Sequence, residues 1–182
     1  MRLGKRQEAN ELLDRFLADR RPLRWNQWPE ISWRDPRSPG HLGDVPHTWI
    51  SSEYMLAFAS LFALESESDD SLVIASGISP HWLANPRGLA VKGLHTWYGT
   101  LDLSLKLSHE LVVELSGSIR PPAGGFVLRP PCPGPIRSVT SNGRKVTSFS
   151  PDEITIHDFP AKIVIAFSKS RTPSRRRALN GV

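Results

Sequence analysis

The chain has 182 residues, 39% hydrophobic and 23% charged, enough for one ordinary domain or a short segment plus a small domain, and too apolar to be disordered throughout. The formal net charge of +5 raises nucleic acid as a partner, but five of the 23 basic residues (Lys169, Arg171, Arg175, Arg176 and Arg177) lie after Phe167 with no acid among them, so the body is neutral. Cys132 is the single cysteine, which excludes an internal disulfide framework and a thiolate metal cluster.

The amino terminus, Met-Arg-Leu-Gly-Lys-Arg-Gln-Glu, lacks the apolar core of a signal peptide. No run approaches the roughly 18 apolar residues of a membrane span. A cytoplasmic protein without a membrane partner is the expectation. Leu12, Leu13, Phe16 and Leu17 share one face of a helix expected over about residues 5–20 and stopped by Pro22.

Residues 22–49 form a long connection rich in Trp, Pro and Gly, and connections of that length are functional or disordered. Trp25, Trp28, Trp33 and Trp49 argue for order, because so much aromatic surface needs burial or a ligand. A second helix is expected to begin near residues 48–51, where hydroxyls can cap free backbone donors. Its apolar set is Ile50, Tyr54, Met55, Phe58, Leu61 and Phe62, and it is expected to end in the polar run at 65–71.

From Leu72 onward the period changes to that of strands. Leu101, Leu103, Leu105 and Leu107 alternate with Asp102, Ser104, Lys106 and Ser108, and Leu111, Val113 and Leu115 continue after a turn at Ser108 and His109. Asn142-Gly143 between two short apolar runs signals a hairpin, since both residues tolerate positive φ. Ile154-Thr155-Ile156 and Ile163-Val164-Ile165 supply further strands. The 16 prolines and 13 glycines fit many turns between short strands, about eight of them, in a β-sandwich. The expected division is 1–68 helical, 72–168 an antiparallel sandwich, and 169–182 a basic disordered tail.

Two helices cannot both pack together and enclose a site, so the amino-terminal third needs other helices, or the sandwich, as cover. Trp25-Asn26-Gln27-Trp28-Pro29-Glu30, Trp33-Arg34-Asp35-Pro36, Gly43-Asp44-Val45-Pro46-His47-Thr48-Trp49 and Glu53-Tyr54 resemble the end of the catalytic barrel in six-hairpin glycosidases, a group that includes glucoamylase-like and trehalase-like hydrolases and related disaccharide phosphorylases. Ser79-Pro80-His81-Trp82-Leu83, Gly88-Leu89-Ala90-Val91 and Thr96-Trp97-Tyr98-Gly99-Thr100-Leu101 resemble the family's β-region after the barrel. The resemblance covers about residues 5–167. It implies an α+β chain: the two-helix end of an (α/α)6 toroid followed by an antiparallel β-sandwich. It also implies a carboxy-terminal fragment or subunit of a glycoside hydrolase-like protein, inactive alone.

Within that resemblance Glu30 stands where glucoamylase-like relatives carry the general base of an inverting carboxylate pair. Its alternative is a surface carboxylate paired with Arg24 or Arg34. Trp25, Trp28, Trp33, Asp44, His47 and Trp49 are the candidate sugar-binding residues. Asp44 could instead serve a turn or cap, and His47 a structural role. Glu53 is expected to face polar neighbours rather than act as the acid. The six histidines are scattered without a metal-binding spacing, and Gly-rich phosphate loops and a Gly-x-Ser-x-Gly elbow are missing. Neither metal nor cofactor is expected.

Carbohydrate is the expected partner, with the rest of a barrel or self-association through Phe16, Met55, Phe58 and Phe62; nucleic acid is not. Two other readings stay open. One is a non-catalytic carbohydrate-binding accessory module, and the other an interaction protein using its basic tail.

Overall fold

A computed structural model describes residues 3–31, 33, 35, 43–131 and 134–168. Cys132 and the basic tail from 169 lie outside the described residues, so the expectations about them are not addressed. The architecture is α+β, two helices followed by two sheets. Helix α1 spans Arg6–Ala18 and α2 spans Thr48–Ala59, with a short 3-10 turn at Leu23–Trp25 between them. No helix among the described residues is long and apolar enough to cross a membrane.

The strands are β1 (Ala63–Ser66), β2 (Ser71–Ile74), β3 (Leu89–Thr96), β4 (Gly99–Leu107), β5 (Leu111–Ile119), β6 (Phe126–Leu128), β7 (Ile136–Ser141), β8 (Arg144–Val146), β9 (Ile154–Ile156) and β10 (Ala161–Phe167). They form a four-stranded sheet in the order β1-β2-β6-β9 and a six-stranded sheet in the order β3-β4-β5-β10-β7-β8. One core joins the two sheets: Leu72, Ile74, Phe126 and Ile154 from the first meet Leu101, Leu103, Leu105, Val113 and Ile163 from the second. Burial of each such side chain is worth about 1.5–3 kcal/mol, so the alternating leucines of β4 hold this sandwich together.

The Asn142-Gly143 hairpin forms as the sequence indicates, both residues with positive φ (49° and 78°) and Ser141 paired with Arg144. Two features differ from expectation. Helix α2 stops at Ala59, and Leu61 and Phe62 leave its apolar face for the sandwich core, 1% and 6% exposed. Their carbonyls accept hydrogen bonds from Gly77 N (3.1 Å) and Ala75 N (2.8 Å), and Ala63–Ser66 then pairs with β2 as a strand. Burial between two sheets outweighs continuation of a helix whose own face is exposed. The sandwich is also not wholly antiparallel, because β2 and β6 run parallel, Leu72 opposite Phe126. A parallel pair needs a long crossover, and β3, β4 and β5 supply it.

The helices are tied to the sandwich at two places. The Arg6 guanidinium donates from Nε to the Ser76 carbonyl (2.9 Å) and from Nη2 to the Arg129 carbonyl (2.7 Å), while Asn10 Nδ2 donates to the Gly77 carbonyl (2.9 Å). An aromatic series forms the second tie. Trp28 packs on Phe16 and Tyr54 at ring distances of 5.6 and 4.5 Å. Tyr54 then leads through Phe58 to Phe62 and Trp82, with Phe58 5.7 Å from Phe62 and 5.9 Å from Trp82.

Neither helix contains a buried residue. Leu12 (64%), Met55 (69%) and Leu56 (65%) are largely exposed. Of the residues expected to mediate association, Met55 is exposed, Phe58 is 40% exposed while packed on Tyr54, Phe62 and Trp82, Phe62 is in the core, and Phe16 is half-buried against Trp28.

Candidate functional site

The connection between the helices folds back on itself before α2. Glu30 N–H donates to the Asp44 carbonyl (3.0 Å) and His47 N–H to the Trp28 carbonyl (2.9 Å). These two bonds set residues 28–30 beside residues 44–47, although the chain between them is long. As a result the Glu30 and Asp44 carboxylates and the His47 imidazole converge, with one donor atom from each lying within 4.8 Å of the others.

Trp28 anchors this arrangement from below. Its ring is 6% exposed, its indole N–H donates to the Phe16 carbonyl (2.6 Å), and it forms a three-ring cluster with Phe16 and Tyr54, which are themselves 5.7 Å apart. The sequence places Trp28 among the sugar platforms, and the fold places it in the packing that supports the site. Gly43 forms part of the floor. It has φ +62°, and a Cβ there would lie 2.2 Å from Glu30 Oε2. The glutamate carboxylate therefore occupies space that any other residue at 43 would fill.

His47 is the residue before α2 and has no side-chain cap bond. Of the hydroxyls expected to cap, that of Ser51 behaves differently, since its Oγ donates back to the His47 carbonyl (3.1 Å). The His47 ring stacks near Trp49, with ring centroids 6.5 Å apart. Trp49 is 69% exposed and presents an open indole face next to the cluster. Trp33 is 48% exposed, three positions beyond Glu30, and Trp25 is exposed on the separate 3-10 turn. Glu53 is exposed on α2.

Among the described residues, no cation pairs with Glu30 or Asp44 in an ion bridge. Arg34, one of the partners considered for Glu30, lies outside them. An inverting glycosidase keeps its two carboxyl groups about 6.5–9.5 Å apart to admit a water, and oxygens of Glu30 and Asp44 lie within 4.8 Å. Asp44 is therefore too near Glu30 to be its acid partner in that mechanism. The convergence of Glu30 with Asp44 and His47 is the feature the sequence concealed, because a long connection separates Glu30 from the other two. Gly43, beside Asp44, was the one local signal of a close approach.

No family model matches the chain, and no curated protein matches it in sequence. Among solved structures it is similar to a GH127 beta-L-arabinofuranosidase from Geobacillus stearothermophilus T6, at 13% identity and a TM-score of 0.33. That likeness covers 68% of this chain and 19% of the arabinofuranosidase chain, so the chain spans less than a fifth of that protein's length.

Proposed function

We propose that this chain is the carboxy-terminal helix-pair and β-sandwich portion of a glycoside hydrolase-like protein, and that the connection between α1 and α2 faces a carbohydrate. The observation that carries the reading is the convergence of Glu30, Asp44 and His47 beside the open face of Trp49, in the connection between two helices that bury none of their own residues. Carboxylates bind sugar hydroxyls as acceptors, and an exposed indole offers a flat apolar face to a pyranose or furanose ring. Glu30 is the candidate general base. Asp44 orients a hydroxyl, and Trp49 and Trp33 form the platform. The partner acid comes from helices that cover the exposed faces of α1 and α2, so the chain alone binds sugar without cleaving it.

The test is retention of the purified chain on a panel of immobilised glycans, run beside hydrolysis of aryl glycosides. The reading predicts retention by at least one glycan class, lost in Trp49→Ala and Glu30→Gln, with no turnover. Absence of retention by a folded chain would overturn it. Turnover abolished by Glu30→Gln would show instead that the catalytic site is complete within these residues.

A further inference from the structure

We propose that Glu30, Asp44 and His47 bind one divalent transition cation of the Zn2+ or Mn2+ kind. Among the described residues this is the one place where three such groups converge. The donor set is mixed, two carboxylates and an imidazole, and that mixture is what borderline divalent cations take; a merely solvated acidic face would not include the imidazole.

The dimensions fit. Ligand atoms held about 2.1 Å from a tetrahedral cation are about 3.4 Å apart, so donors now within 4.8 Å of one another need to close by at most about 1.4 Å. Side-chain rotation covers that distance, because the two backbone bonds between residues 28–30 and 44–47 already hold the carriers side by side. The bare α-carbon of Gly43 leaves room for the Glu30 carboxylate, where a Cβ would come within 2.2 Å of Oε2. Two carboxylates this close repel each other, and among the described residues no Lys or Arg pairs with them. A cation between them removes that repulsion.

Glu30 and Asp44 are exposed, so three protein ligands leave the remaining positions open to water or a ligand, the pattern of catalytic rather than structural metal sites. Cation binding itself does not depend on the glycosidase reading. The role that follows from it does: the open positions would hold water or a pair of vicinal sugar hydroxyls, and Glu30, already held as a ligand, would position sugar through the cation in place of acting as the general base.

The experiment uses the full chain without a polyhistidine tag, stripped with chelator and titrated with ZnCl2 by calorimetry and with MnCl2 by electron paramagnetic resonance, with no sugar present. The expected result is saturation at one cation per chain. Glu30→Gln, Asp44→Asn and His47→Ala each weaken it at least about tenfold, with circular dichroism unchanged, while His109→Ala on the exposed β4–β5 turn leaves it unaltered. No saturable uptake of either metal by the parent chain would overturn the proposal. So would uptake that the three substitutions do not alter, since the metal would then sit elsewhere. Because sugar is absent, failure here leaves the glycan result standing, and failure of glycan retention leaves the titration standing.

Discussion

Replacing Trp28 with alanine should loosen the helical third and leave the sandwich intact. The ring is 6% exposed against Phe16 and Tyr54, and its N–H satisfies the Phe16 carbonyl at 2.6 Å. Truncating a buried tryptophan costs about 3–5 kcal/mol where neighbours cannot collapse into the space. The lower end, about 3 kcal/mol, is expected here, because Phe16 and Tyr54 already stand 5.7 Å apart and can close part of the gap. Trp28→Phe retains an aromatic ring and removes the indole donor, for a smaller loss of about 1 kcal/mol. The sandwich has its own core, so the loss falls on local opening of the helices rather than on global unfolding. Hydrogen exchange read by mass spectrometry should show amides of α1 and α2 losing protection, with those of β4 and β5 unchanged. Protection in the helices altered by less than about 1 kcal/mol in Trp28→Ala would refute the view that this ring supports the site.

Arg6→Ala should free α1 from the sandwich by leaving the Ser76 and Arg129 carbonyls without their charged donor, a loss of about 1.5–3 kcal/mol read as faster exchange in Arg6–Ala18. Gly143→Ala should lower the urea midpoint by the equivalent of about 1 kcal/mol. The position has φ +78° with open space around it, so the cost is conformational alone. The Ser66 and Ser71 hydroxyls hold the Asp69 carboxyl below its ordinary value of 3.8. Its stabilising contribution is thus present above that value and lost as pH falls through the lower folded value, and Asp69→Asn should flatten the acid limb of a stability-versus-pH curve.

The sandwich was legible because its strands alternate. Leu101, Leu103 and Leu105 announce β4 by period alone, and Asn142-Gly143 announces its hairpin by turn chemistry. The end of α2 was not legible, because Phe58, Leu61 and Phe62 keep helical spacing while serving two structures: Phe58 stays on the helix and the other two enter the core. The parallel β2–β6 pair was hidden for a related reason, since residues 71–74 and 126–128 carry no local mark of their partner. In the connection between the helices, composition did not separate the tryptophans. Trp28 and Trp49 look alike in sequence, and only the approach of Phe16 and Tyr54 makes one a buried support and the other an exposed face. Convergence of Glu30 with Asp44 and His47 depends on two backbone bonds across a long connection, which no spacing rule encodes.

The most direct measurement of a carbohydrate-facing connection is the indole N–H spectrum of the isotopically labelled chain, titrated with a panel of pyranose and furanose sugars. Its six tryptophans are assignable by single Trp→Phe substitutions. The account predicts saturable shifts of the Trp49 and Trp33 signals, weakened in Glu30→Gln, while Trp28, buried against Phe16 and Tyr54, and Trp82, packed on Phe58 and Phe62, stay still. Shifts confined to Trp97 on the β3–β4 turn, or no saturable shift with any sugar, would contradict it.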